Sequence, residues 1–314
     1  AEESGKSQPL GRIQVRRPTV EPWHGRIGPY EGEPKGCCHL QHAARVYGRY
    51  DLSVRRLARI YRVFLASSLQ RELEFRANFI AKVLQNVAWI VVFTLIIVVI
   101  YSHTDSVAGW NRGEAFVLAA TIFMLGSASS ALFFSLVEIP EQVRRGTLDF
   151  VVTKPIDSQF WVSLRRFNFD QIGAFLAGVL LLAYGLANAG TPVGAVQILS
   201  YAVTFLAAVA LYYGFSLALM TLGIWLVRVD NLWVLGETVQ QVARYPLDIY
   251  NVHVQRMLTY ALPLAFLATV PARQLVKQVD PTFVFLSVLY AGIAVVLSRS
   301  FWLFAMKRYS SASS

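Results

Sequence analysis

The apolar positions of this chain fall in long unbroken runs. Crossing about 30 Å of hydrocarbon at 1.5 Å per residue takes about 20 residues of helix. Runs of that length lie at Phe79 to Tyr101, with VVFTLIIVVI at its centre, and at Ala115 to Val137, which carries the small-residue cluster GSASSA. Others are Ile172 to Ala189 and Thr282 to Phe304. The run from Val196 to Val227 is too long for one straight crossing, so it is expected to tilt, protrude or break near Gly214 or Gly223.

Between Val227 and Thr282 the pattern is mixed. Asn231 to Tyr250 is aromatic but carries Glu237, Arg244 and Asp248, while Met257 to Val276 is apolar but interrupted by Pro263 and Pro271. A further span can come from either stretch. If Met257 to Val276 crosses, Arg256 lies on the same side as the amino terminus. If Asn231 to Tyr250 crosses, the proline-interrupted stretch dips back into the far face as a re-entrant pair of short helices. Irregular backbone at membrane depth survives only where protein or water covers it, and two prolines eight residues apart fit the second arrangement better.

Ahead of the first run, Leu57, Ile60, Tyr61, Phe64, Leu65, Leu69 and Leu73 recur at helical spacing between Val54 and Asn78, opposite Arg55, Arg59, Arg62 and Arg71. The spacing predicts an amphipathic helix in the interface plane, with its arginines near anionic headgroups. Residues 1–50 have little apolar periodicity and are expected to form a flexible cytoplasmic tail. They have no apolar segment of the signal-peptide kind. The remainder, 51–314, is expected to form one transmembrane domain.

Composition agrees with the pattern: 55% of the 314 residues are hydrophobic and 15% charged, too little polar surface for a soluble globule. The chain is expected to be an all-α integral membrane protein with no nucleic-acid partner. The basic residues orient it. Fourteen Lys and Arg precede Phe79 and five more lie from Glu138 to Asn168, whereas the connections Ser102 to Glu114 and Gly190 to Gly194 carry only Arg112. By the positive-inside tendency the amino terminus and the Glu138 segment are cytoplasmic. Lys307 and Arg308 place the carboxyl terminus there too, so the span count is even, with six the simplest.

Catalytic equipment is sparse. GKS at Gly5 to Ser7 lacks the upstream glycine and strand of a phosphate-binding loop. CCHLQH at Cys37 to His42 has soft ligands, but adjacent cysteines are not zinc spacing, and reduced thiols are the simpler reading. No HExxH or GxSxG occurs in a span. No metal site, no cofactor on this chain and no enzymatic activity are expected. Ionisable groups deep in lipid would suggest an ion-driven carrier. Lys82 and Asp170 sit near run ends and only Glu237 reads as embedded, two helical turns before Arg244. The energy for any transport is therefore expected to come from a partner.

The segment EIPEQVRRGTLDFVVTKPI leaves the membrane between the second and third runs. Pro140 suits a first helical turn, Arg144 and Arg145 offer donors to a partner, Gly146 permits a reversal, and Pro155 ends an extended return. With YRVFLASSLQRELEFRANF, ARYPLDIYNVHVQRMLTYALPLAFLATVPARQLV and FWLFAMKRYSSASS, it resembles the permease subunits of ABC-2 type transporters, in particular the branch grouping with drug and small-molecule exporters. The similarity runs over about Tyr61 to Ser314 and departs at Asn251-Val252, where a proline is expected after IY.

The resemblance implies a coupling helix at Pro140, Glu141, Arg144, Arg145, Gly146 and Thr147 that seats in a separate ATPase. It also implies a connecting helix carrying Arg55, Arg59, Arg62, Phe64 and Arg71. An outer gate would be formed by Arg244, Tyr245, Pro246 and Tyr250, with Pro263 and Pro271 in the re-entrant helices. The implied assembly has two ATPase subunits that hold ATP and Mg, and a second permease, identical or paralogous, in the cytoplasmic (inner) membrane among its lipids. It would export an amphipathic, hydrophobic or lipid-like small molecule. The alternative is a channel or scaffold without ATP coupling.

Overall fold

The computed structural model describes residues 54–154, 156–226 and 232–309. The tail 1–50, with GKS and CCHLQH, lies outside the described residues, as does Pro155. The described chain is helical apart from a hairpin of β1 (Ser106–Val107) against β2 (Trp110–Asn111). Its long apolar helices are α2 (Arg76–Tyr101), α3 (Arg112–Phe133), α7 (Asp170–Ala189), α8 (Ala195–Thr221) and α12 (Pro281–Arg308). Among the described residues these five are long and apolar enough to cross a membrane. The fold is that of an all-α integral membrane protein.

The amphipathic pattern before the first run becomes α1 (Val54–Glu74), which turns at Phe75 directly into α2. Arg55, Arg59, Arg62 and Arg71 are exposed. On the opposite side, Phe64 meets Trp161 edge-on at 5.1 Å, and the buried Ser68 hydroxyl accepts the Phe167 N–H at 3.1 Å. Part of the apolar stripe therefore covers protein.

Helix α3 starts at a capping box: the Asn111 side chain accepts from Glu114 N–H and the Glu114 carboxylate accepts from Asn111 N–H, both at 2.9 Å. At its other end it tightens into a 3₁₀ turn (Phe134–Glu138) and passes into α4 (Ile139–Arg144) without a loop. The return to α7 is not extended, as expected, but helical: α5 (Asp149–Val152) and α6 (Ser158–Leu164), the latter capped by Asp157, which accepts from Phe160 N–H at 3.0 Å.

Helix α8 does not break at Gly214. There α12 comes so close that an added Cβ would lie 2.7 Å from Ala294 backbone carbon. The run ends instead at Gly223, in a 3₁₀ turn over Leu222–Ile224.

Neither candidate for the mixed stretch is a continuous helix. In the first, α9 (Leu232–Val242) has 11 residues, about 16 Å, and is followed by a 3₁₀ turn at Leu247–Ile249. In the second, α10 (Val252–Arg256) runs into a π turn (Met257–Ala261), then a 3₁₀ turn (Leu264–Phe266), then α11 (Thr269–Val276). Pro263 falls at the break, where its missing N–H cannot extend a ladder. Pro271 does not break a helix but sits in the first turn of α11, where no intrahelical donor is needed.

Hydrogen bonds identify the two ends of the bundle. At one end, Trp302 Nε1 donates to Ser158 Oγ at 3.1 Å, and Gly223 abuts Pro140. At the other, Tyr101 Oη donates to Trp110 O at 3.0 Å and Asn111 Nδ2 to Ala189 O at 3.2 Å. Asp248 lies at this second end, bonded to Trp110. Among the described residues between Gly223 at the first end and Asp248 at the second, the regular structure is α9 and the 3₁₀ turn at Leu247–Ile249.

Candidate functional site

The segment at the first end is two-faced. Ile139, Val143 and Leu148 are buried, packed with Leu217, Met220 and Ile224 near the end of α8 and with Trp302 and Ala305 of α12. Pro140 occupies the first turn of α4, and a Cβ at Gly223 would lie 2.6 Å from its ring. Gly146 adopts a left-handed φ of +65°, and its N–H reaches Val143 O at 3.1 Å, ending the helix as the sequence suggests. The Thr147 hydroxyl and Leu148 N–H both reach Gln142 O.

The opposite face is open. Arg144, Arg145 and Thr147 are exposed, and Phe150 is 69% exposed. Both arginines bond Glu141, and those bonds hold its carboxyl below the usual carboxylate range. The sequence gives no helical period that would single out Phe150; only the turn at Gly146 aims it outward.

Behind this face a polar network binds α6 to the spans. Arg299, which the count of embedded charges passes over, lies inside the last apolar run. Its Nη1 donates to Asp157 Oδ1 at 3.0 Å and Gln159 Oε1 at 2.8 Å, and its Nη2 to Asp157 Oδ2 at 2.6 Å. Gln159 Nε2 donates to Tyr213 Oη at 2.8 Å, and Ser163 Oγ lies 2.9 Å from the same hydroxyl. Burial pushes the Asp157 carboxyl up, but the Arg299 guanidinium and the Phe160 N–H outweigh it and hold it below its ordinary value. Glu138 pairs with both Arg165 and Arg166.

At the second end, Asp248 accepts from Trp110 Nε1 and from Gln255 Nε2, each at 2.9 Å, and pairs with Arg273. Lys277 donates to Gly109 O at 2.9 Å and stands 4.8 Å from the centre of the fully buried Trp110 ring. Because Gln255 and Arg273 reach one carboxylate, the stretch between them begins and ends at the same end of the bundle. Midway, Leu262, Pro263 and Leu267 line one pocket with Gly214, Ala294 and Ser298, well down the long helices. Asn251 supplies what the expected proline would not: its side chain caps α10, accepting from Val254 N–H at 3.0 Å.

The residues read as an outer gate differ in their surroundings. Pro246 and Leu247 are buried, while Tyr245 and Tyr250 are exposed. Arg244 stands off from them, 5.9 Å from the Trp89 ring and 6.0 Å from Phe123, both near the middle of their helices. It does not share a helix face with Glu237, because α9 ends at Val242. Glu237, Thr238 and Gln241 form an exposed polar stripe on α9.

No curated protein matches this chain. The family model described as ABC-2 family transporter protein matches residues 87–313, from the middle of α2 through the two-faced segment, the Asp248 cluster and α12. With most of its length inside that match, including the second half of α2 and all of α3, α7, α8 and α12, the chain belongs to the ABC-2 transporter family and is a membrane-embedded component of an ABC transporter.

Proposed function

We propose that this chain is the permease subunit of an ATP-driven exporter, and that α4 with the turn after it seats in a separate ATPase. The observation that carries the reading is the division of this segment into a buried apolar face locked to α8 and α12 and an exposed face of Arg144, Arg145, Thr147 and Phe150. A large exposed ring beside paired arginines, outside the lipid-facing helices, has the composition of a partner surface. A push on α4 is transmitted to α8 through Pro140 and Gly223 and to α12 through the packing of Ile139 and Val143 with Trp302 and Ala305. A channel or scaffold would leave this exposed face without a purpose.

On this reading the first end of the bundle and both termini are cytoplasmic, in a cell's inner membrane. The passage from Gly223 to Asp248 is the fifth of six spans, and the stretch from Asn251 to Val276 is re-entrant from outside. The stripe Glu237, Thr238 and Gln241 is too polar to face hydrocarbon, so it faces water and a second permease, identical or paralogous. An amphipathic or hydrophobic small molecule moves outward along that seam, with ATP and Mg bound on two ATPase subunits.

The test is the double variant Arg144→Glu, Arg145→Glu, which sets two new carboxylates beside that of Glu141. Recovery of the co-purifying ATPase, or substrate-stimulated hydrolysis, is expected to fall on the order of tenfold or more, while membrane insertion is unchanged. Wild-type yield and stimulation in this variant would refute the docking.

A further inference from the structure

Between α1, α6 and α8 lies a cavity of about 580 Å³, within the range of about 300–1,000 Å³ usual for small-molecule sites. Its two ends differ in chemistry. Leu206, Val209 and Ala210 form an apolar wall along α8, and Leu206 is 67% exposed, so the wall opens on the outer surface of the bundle. Seven residues further along the helix, about 10 Å nearer the first end, Tyr213, Gln159, Asp157 and Arg299 make a polar floor. The floor presents both signs of charge. Asp157 and Arg299 lie side by side, and Arg299 uses Nη1 and Nη2 on Asp157 and Gln159 while its side chain keeps 38% of its surface accessible.

We infer that this cavity is a binding site for a zwitterionic phospholipid of the leaflet at the first end, with its headgroup on Asp157 and Arg299 and an acyl chain along Leu206, Val209 and Ala210. The shape fits an amphiphile lying along the span: an apolar groove open to lipid leads down to a polar pocket at interface depth. The charge pattern selects the headgroup. A phosphate finds the free edge of the Arg299 guanidinium, and an ammonium finds the Asp157 carboxylate, which the pairing keeps ionised. A purely anionic headgroup would meet Asp157 with no compensating cation of its own. The floor is the same network that ties α6 to α8 and α12, so an occupied site bears on the junction between the coupling segment and the spans. Which leaflet supplies the lipid rests on the orientation proposed above; the site itself does not.

The full-length chain is reconstituted in nanodiscs containing equal parts phosphatidylethanolamine and phosphatidylglycerol, released, and weighed by native mass spectrometry. One phosphatidylethanolamine is expected to be retained at least threefold over phosphatidylglycerol. Leu206→Trp and, separately, Ala210→Phe fill the groove and are expected to lower that retention at least fivefold. Leu180→Trp, on the exposed face of α7 where Leu180 is 72% accessible, is expected to leave it unchanged. Equal retention of the two lipids, or retention untouched by both groove variants, or loss in all three, overturns the site. No ATPase enters the measurement, so its outcome is independent of the Arg144/Arg145 test.

Discussion

Trp110 donates its indole N–H to Asp248 across 138 positions of sequence, and the same carboxylate is the point where the two limbs of the stretch after α9 are joined. The hairpin between α2 and α3 thus ties down α10, through Gln255, and α11, through Arg273, by way of one side chain. Asp248→Ala is expected to destabilise the purified protein by about 2 kcal/mol and Trp110→Phe by about 1 kcal/mol, with the double variant costing less than the sum because one bond is shared. Thermal unfolding in detergent gives the three numbers, and strict additivity would show that the bond contributes nothing.

Val252 is 56% exposed at the start of α10, a better site for topology mapping than Asn251, whose side chain caps that helix. In a background without Cys37 and Cys38, Val252→Cys is expected to react with a membrane-impermeant maleimide added to intact cells. Reaction only after the membrane is opened would invert the proposed orientation of the second end.

Gly223 faces the Pro140 ring with no room for a side chain, and the ring cannot swing aside as a flexible side chain would. Gly223→Ala is expected to push α4 away from the end of α8 at a cost of about 1–3 kcal/mol, lowering substrate-stimulated ATP hydrolysis more than basal hydrolysis. Unchanged stimulation would mean that α8 does not receive the push.

Asp157 is held ionised by burial's opposing neighbours, Arg299 and the Phe160 N–H, with its folded pKa below the unfolded value of about 3.9. A depressed carboxylate contributes stability that is present above the unfolded pKa and is lost as pH falls through the folded one. Wild type is therefore expected to melt above Asp157→Asn at pH 6, and the gap is expected to shrink steadily below about pH 4. A gap constant from pH 6 to pH 3 would remove the carboxylate from the account.

The sequence alone determined the long helices, because a span must satisfy its backbone internally and show an apolar surface all round, a requirement written in consecutive residues. It also determined the turn at Gly146, the helix start at Pro140 and the basic face of α1, each a local matter of backbone or spacing. It misplaced what depends on distant partners. Pro263 and Pro271 look alike in sequence, yet only Pro263 sits at a break, since the fold begins α11 just ahead of Pro271. Arg299 disappears into an apolar run unless Asp157, 142 positions earlier, is known to lie beside it. Arg244 and Glu237 match in spacing but are separated by the end of α9. Phe150 becomes a surface residue only once Ile139, Val143 and Leu148 have claimed the other side of the segment against α8 and α12. Helices in lipid are specified one at a time; which of their polar groups meet, and which are left facing outward, is decided by how the helices pack.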